Sequence, residues 1–267
     1  MITDRSTGYR NQILSSLPKH ELRALEPHLV AVDLPRRFVL SQSLHKNAFG
    51  YFLESGLASV VVILENGNTV EVGVVGFEGM VGSPILLGTE SIPCQTFMLM
   101  AGSGYRIKAS VLKEQFEDSP QLRRMLMRYF QLHLVQASQT AACNRLHEVE
   151  ERMARWLLIC KDRVDSEDIS LTHEFLAQML GSRRSSVTIA AGALQRAGLI
   201  DYSRGHVRIL DIEGLEKSAC ECFRAIHNEQ ARLGLLPAVL SPSYAEQTLE
   251  MPQHSLERNS HPRVFPI

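Results

Sequence analysis

The clearest hydrophobic pattern in the chain covers residues 171–210. Leu176, Ala177 and Leu180 share one face of an expected helix, and Gly181 stands where a helix C-terminus needs a left-handed residue. Thr172 supplies an N-cap hydroxyl ahead of it, and Glu174 sits in the first turn, where the helix dipole favours negative charge. A second helix is expected to begin at Ser182 or Arg183. In it Val187, Ala191 and Leu194 recur at i, i+4 and i+7, with Ala190 beside them. This stripe is narrow and made partly of small residues, so the two helices can approach closely. Gly198 ends the second helix. Residues 199–202 and 207–210 then pair as strands around Ser203-Arg204-Gly205-His206. Helix, tight turn, helix and hairpin form a winged helix-turn-helix, whose second helix is shaped to enter a DNA major groove.

Patterns elsewhere are longer and plainer. Residues 11–29 place Leu17, Leu22, Leu25 and Leu29 at roughly helical spacing. Residues 31–107 hold the strand candidates RRFVL, YFLESG, LASVVVIL, TVEVGVVG and CQTFMLM, with a hairpin turn at ENGNT. Many short strands with frequent turns predict a small barrel or jelly roll. Residues 111–162 read as helix, broken near Asp118-Ser119-Pro120 and again near Asn144. Within it Leu122, Met125, Tyr129, Leu132 and Gln136 repeat at 3, 4, 3, 4. That spacing suits a seam against a second copy, which is the expectation adopted, although it also suits burial on the chain's own barrel. Trp156 belongs to the core of the following helix. Beyond residue 235 five prolines and many polar residues predict a disordered or loosely docked tail.

The expected fold is therefore α+β. A jelly-roll-like β-roll covers 11–110, a long dimerisation helix 111–144, a winged helix-turn-helix 145–235 and a tail 236–267. The 267 residues suffice for two domains with real cores, and 45% hydrophobic with 21% charged residues is the composition of a soluble globular protein. No apolar run reaches membrane-spanning length and no signal-peptide pattern opens the chain, so the cytoplasm is expected, with no membrane partner.

Charge sharpens the reading of the helix-turn-helix. The formal net charge is −1, yet residues 171–210 carry Arg183, Arg184, Arg196, Arg204 and Arg208 against only Glu174 and Asp201. A basic patch on a near-neutral protein is the footprint of a DNA reader. Arg183, Arg184, Ser185, Ser186 and Thr188 crowd the N-terminal end of the second helix. There Arg can grip guanine with two hydrogen bonds, and Ser or Thr can bind phosphate. Arg204 and His206 put further charge on the wing, and Thr172 joins these residues as a DNA-facing hydroxyl. No Ser/His/Asp arrangement, HExxH or Walker-type loop is present, so an enzyme is not expected. The five cysteines, Cys94, Cys143, Cys160, Cys220 and Cys222, are odd in number and scattered, which argues against a disulfide framework. Cys220 and Cys222 form C-x-C on an expected helix. Two positions apart they would point to different faces, so free thiols and no metal are expected.

In this order the parts resemble the Crp/Fnr family of bacterial transcription regulators over about residues 11–211. The resemblance is strongest in 171–210. It extends to Asn144-Arg145-Leu146-His147-Glu148, Ala154-Arg155-Trp156-Leu157-Leu158, Tyr51-Phe52-Leu53-Glu54-Ser55-Gly56 and Gly76-Phe77-Glu78-Gly79. It implies a homodimer on a two-fold operator in double-stranded DNA, with RNA polymerase as a further partner and a β-roll that receives an effector. It places Arg184 at the main guanine-reading position and Ser186 at a phosphate-binding hydroxyl. Ser185 and Ile189 replace the family's base-reading Glu and Arg, and Ile189 could only touch a thymine methyl. The effector pocket departs further. Where cyclic-nucleotide binders carry a Gly-Glu and then an Arg, this chain has Gly82-Ser83 and, about ten residues on, Pro93 and Cys94. No Arg lies between Arg37 and Arg106. A buried phosphate would forgo charge-assisted hydrogen bonds of ~1.5–3 kcal/mol each, so cyclic AMP is not expected to bind well. The expected pocket comprises Gly82, Ser83, Ile85, Leu86, Leu87 and Cys94, with Ile92 and Phe97, and Glu90 would repel an anion. No cofactor is expected. No cysteine precedes Cys94 to hold an iron–sulfur cluster, and His20, His28, His45 and His133 show no haem spacing. A ligand-binding signalling module acting through protein contacts is the alternative function.

Overall fold

Pro18 divides the N-terminal helical segment into α1 (Gln12–Ser15) and α2 (Lys19–Leu25), and a 3-10 turn over Glu26–His28 leads into the sheets. The computed structural model describes residues 8–89, 91–164, 168–203 and 205–235. The expected tail over 236–267 lies outside the described residues, as do Glu90 and Arg204.

Eight strands build the roll: β1 (Val30–Leu34), β2 (Val39–Ser41), β3 (Phe49–Leu53), β4 (Leu57–Ile63), β5 (Thr69–Val75), β6 (Met80–Val81), β7 (Gln95–Met100) and β8 (Gly102–Lys108). A short α3 (Ser83–Leu86) lies between β6 and β7. They form two antiparallel four-stranded sheets in the orders β1-β8-β3-β6 and β2-β7-β4-β5. Phe52, Leu53, Leu57, Met98 and Ile107 are among the fully buried residues between them. RRFVL begins its strand late, because Arg37 takes a left-handed φ of 69°. β1 and the Gly-rich β8 extend the roll beyond the strands expected. Gly56, at φ 79°, turns β3 into β4. A Cβ there would stand 2.8 Å from the carbonyl oxygens of Met100 and Ala101, so only glycine fits.

The long helical segment breaks where polar caps fall. After α4 (Ala109–Asp118), the Ser119 hydroxyl accepts from the Leu122 amide at 3.3 Å and Pro120 opens α5 (Pro120–Leu146). A reciprocal capping box between Glu148 and Glu151 then starts α6 (Val149–Arg163). The C-terminal part continues as β9 (Asp168–Ser170), α7 (His173–Met179), α8 (Arg184–Arg196), β10 (Ile200–Ser203), β11 (His206–Ile209), α9 (Ile212–Ser218) and α10 (Cys222–Arg232).

The expected dimer seam is corrected here. Leu122, Met125, Tyr129, Leu132 and Gln136 are at most 4% exposed within the single chain. The Tyr129 ring lies against Gly79, and Gln136 and His133 lie against Gly73 of β5. This face of α5 is spent on the chain's own roll. A 3-4 repeat shows that one face is buried and does not identify the neighbour that covers it.

Two buried carboxylates join the roll to α6. Glu71 of β5 accepts from Trp156 Nε1 at 2.6 Å and from the Ser59 hydroxyl at 2.5 Å. Glu78 pairs with Arg163 Nε at 2.8 Å and also accepts from the Gly76 amide, with both charged side chains buried. α6 in turn packs against α8 and α9, and α7 packs on β5. The carboxylates therefore fix the C-terminal part against the roll.

Breaking such a pair leaves one charge buried alone. Arg163→Leu should cost ~3–5 kcal/mol in urea unfolding, and the double change Glu78→Gln, Arg163→Leu should recover part of that loss. Burial pushes the Glu71 carboxyl up from 4.5 to about 7, against the opposing hydrogen bonds from Ser59 and Trp156 and the charges of Arg155 and Arg163. Between those values the unfolded chain has already lost this proton while the folded chain keeps it, so stability falls as pH rises through the window. Glu71→Gln has no proton to lose, and its unfolding free energy should gain on that of the native chain as pH climbs from ~4.5 to ~7.

Candidate nucleic-acid interface and effector cavity

Thr172 caps α7, its hydroxyl accepting from the Phe175 amide at 3.2 Å. Leu176, Ala177, Met179 and Leu180 are buried below. Gly181 turns the chain at φ 54°, and the Ser182 amide closes the turn on the Ala177 carbonyl at 2.9 Å. α8 starts at Arg184, one to two residues later than the pattern suggests. Val187, Ala190, Ala191 and Leu194 are buried on one side. On the other, Arg183, Arg184, Ser185 and Thr188 are exposed, Ser186 is half-buried, and Ile189 is 71% exposed. The N-cap residue Arg183 makes no side-chain hydrogen bond to the α8 N-terminus. The first amides of α8 and the positive end of its dipole therefore face outward beside the two arginines, a setting that favours phosphate.

A small network ties this helix to its neighbours. The Thr188 hydroxyl donates to the Arg184 carbonyl at 3.0 Å and lies 3.1 Å from His173 Nδ1. The His173 ring stacks on Tyr202 at 4.4 Å, and the Tyr202 hydroxyl donates to the Leu171 carbonyl at 2.8 Å. Burial first, and the Arg184 charge second, push the His173 pKa down, so the ring is neutral near pH 7. The wing has three strands where two were expected, because β9 pairs with β11 on the side away from β10. His206 and Arg208 are exposed on β11, whereas Arg204 falls outside the described residues.

A cavity of about 280 Å³ lies between the roll and α5. Gly82, Ser83, Leu87 and Cys94 of the expected pocket line it, as does Ile92. Ile85 and Leu86 do not, because the single turn of α3 points them away, and Phe97 is excluded by the alternation of β7, which aims Cys94 and Thr96 inward. The remaining wall is mostly apolar and includes Val72, Tyr129 and Leu134. No Lys or Arg is among the lining residues. His133 also lines it, and burial pushes its pKa down.

Sequence reasoning missed Glu71, Glu78 and Arg163. A glutamate within the apolar run TVEVGVVG was the available signal, since Glu71 shares the buried side of β5 with Gly73 and Val75. It misread the C-x-C motif as well. α10 begins only at Cys222, with Glu221 as its N-cap and Cys220 before it, so the two thiols are not set apart by a helical turn. They converge with Cys143 and His147 from the end of α5.

Comparison with known proteins agrees with this arrangement. Residues 151–218, from α6 to the end of α9, match the Crp-like helix-turn-helix domain. The transcriptional regulator SdrP of Thermus thermophilus is 26% identical over 175 residues, covering 63% of this chain and 83% of its own. The transcriptional regulator LdrP of the same organism is 28% identical over 182 residues, covering 66% and 89%. A crystal structure from Eubacterium rectale, described as a transcriptional regulator of the Crp/Fnr family, shares the fold with a TM-score of 0.61. It is 17% identical and covers 78% of this chain and 98% of its own. A Crp-like helix-turn-helix domain on a fold shared with Crp/Fnr structures, together with similarity to curated transcriptional regulators, supports a DNA-binding transcription regulator that resembles the Crp/Fnr family.

Proposed function

We propose that the protein grips a two-fold operator as a homodimer in the cytoplasm, and that its effector is not cyclic AMP. The observation that carries this reading is the N-terminus of α8, with Arg183, Arg184, Ser185 and Ile189 exposed opposite the buried stripe. Arg184 reads guanine and Ile189 rests on a thymine methyl. Ser186, Thr172 and His206 hold the phosphate backbone. RNA polymerase is the further partner in this reading.

The dimer forms through a second stripe of α5. Met127, Leu134 and Ala141 are exposed seven residues apart, with the half-buried Phe130 and Ala137 between them. This stripe has coiled-coil spacing and flanks the face of α5 that packs on the roll. Phe130, Leu134 and Ala137 also border the cavity. A ligand there touches the roll and the dimer stripe together, so it can bias how the two copies sit. The apolar wall without a cation selects a neutral or weakly charged ligand. If no ligand enters, abundance sets activity.

Anisotropy on DNA from the protein's own upstream region should show tight binding without nucleotide, unchanged by added cyclic AMP. Arg184→Ala should lower operator affinity by ~1–3 kcal/mol and leave the dimer intact. Affinity unchanged in that variant would favour a module acting through protein contacts. In sedimentation, Leu134→Glu should give a folded monomer, since Leu134 is 68% exposed in the single chain. Leu132→Glu should instead unfold the chain, because Leu132 is part of its own core.

A further inference from the structure

We infer that Cys143, His147, Cys220 and Cys222 bind a structural zinc ion. Cys143 and His147 stand four residues apart at the end of α5 and share one side of it. Cys220 and Cys222 flank Glu221 at the start of α10. Cys143 Sγ lies 3.4 Å from Cys220 Sγ, and Cys222 Sγ lies 3.6 Å from His147 Nδ1. All four donor atoms lie within 4.8 Å of one another. A tetrahedral zinc ion needs Zn–S of about 2.3 Å and Zn–N of about 2.0–2.1 Å, which sets two sulfurs about 3.8 Å apart and a sulfur and a nitrogen about 3.5 Å apart. The Cys222–His147 separation already fits, the Cys143–Cys220 pair would open by about 0.4 Å, and side-chain rotation closes the longer separations.

Three further features separate this cluster from a chance group of buried thiols. The first is the state of His147. Its Nε2 lies 3.2 Å from the Glu221 carboxylate, which can only accept, and its Nδ1 is the ring nitrogen beside the Cys222 sulfur. A carboxylate behind a histidine is how proteins orient an imidazole toward a metal. The second is charge. Three thiolates around Zn²⁺ leave a net single negative charge. Arg152 and Arg155, both buried, lie within electrostatic reach of the sulfurs, and Arg155 Nε has no hydrogen-bond partner among the described residues. The third is closure. The three cysteines are buried, so four protein donors fill a tetrahedron with no open position, which marks a structural rather than a catalytic ion. The donors are too close together to cage a polynuclear iron–sulfur cluster. Thiolate-rich donors with one imidazole suit zinc. On binding, each thiol releases its proton to solvent and no electron is transferred.

The ion would sit where α5 hands over to α6 and would clamp the start of α10 to that junction. α10 packs on both α5 and α6, and Gln131 Nε2 donates to Glu229 at 2.8 Å along the same contact. Zinc would thus hold α10 to the junction of α5 and α6.

The test is metal analysis of the full-length protein, purified under reducing conditions and washed with a weak chelator. One zinc per chain is expected, retained in Cys94→Ala and Cys160→Ala and lost in Cys143→Ser and Cys222→Ser. Stripping the zinc with a strong chelator should lower the melting temperature, and restoring zinc should recover it. Adding Co²⁺ to the stripped native chain should give the visible d–d bands of a tetrahedral thiolate site. That measurement needs no variant and stands if the serine chains fail to fold. A folded, reduced native chain that carries no zinc and gives no cobalt spectrum would overturn the proposal. So would zinc that survives both serine substitutions, or a Cys143–Cys220 disulfide trapped by alkylation at lysis.

Discussion

The buried pairing of Glu78 with Arg163 is the constraint on which the arrangement of the two halves rests. Neither charge reaches water, so each requires the other at close range, and the pair tolerates little displacement. Glu78 is held from behind by the Gly76 amide, and Arg163 also donates to the Ile159 carbonyl within α6. The end of α6 therefore has one position on the roll. Because α6 also packs against α8 and α9, the placement of α8 on the roll follows from this charge pair.

A hydrophobic interface of the same area would hold as well but would slide more easily. Apolar contacts are non-directional, whereas a buried carboxylate loses much of its partner's field after a small shift. The Glu71 carboxyl adds a second fixed point, satisfied by one donor from β4 and one from α6. Between the two, the roll and the DNA-binding part are registered as one body. The cavity lies along α5, outside these two fixed points.

How much of this was legible in the sequence depended on the range of each interaction. The helix-turn-helix was readable because its determinants are local: the Thr172 cap, the left-handed Gly181 and the i, i+4, i+7 stripe of α8. The breaks in the long helix were readable for the same reason, from Ser119-Pro120. The α5 face was assigned to the wrong neighbour, since periodicity carries no information about what covers a buried stripe. Ile85 and Leu86 were placed in the pocket because a lone helical turn cannot be oriented from pattern alone. The thiol cluster was missed because the C-x-C was read as mid-helix. The Glu71–Trp156 and Glu78–Arg163 contacts were beyond reach, as each pair is 85 residues apart in the chain.

Trp156 is the chain's single tryptophan, and its indole N–H is bonded across the joint to the Glu71 carboxyl in a site without water contact. The molecule therefore carries its own optical reporter at the place where its two halves meet. Indole emission responds to nearby polarity and to the ionisation of a hydrogen-bonded acid. Any event that parts α6 from the roll or strips the Glu71 proton would register as a change in colour and intensity, with no label attached and no competing fluorophore of the same kind.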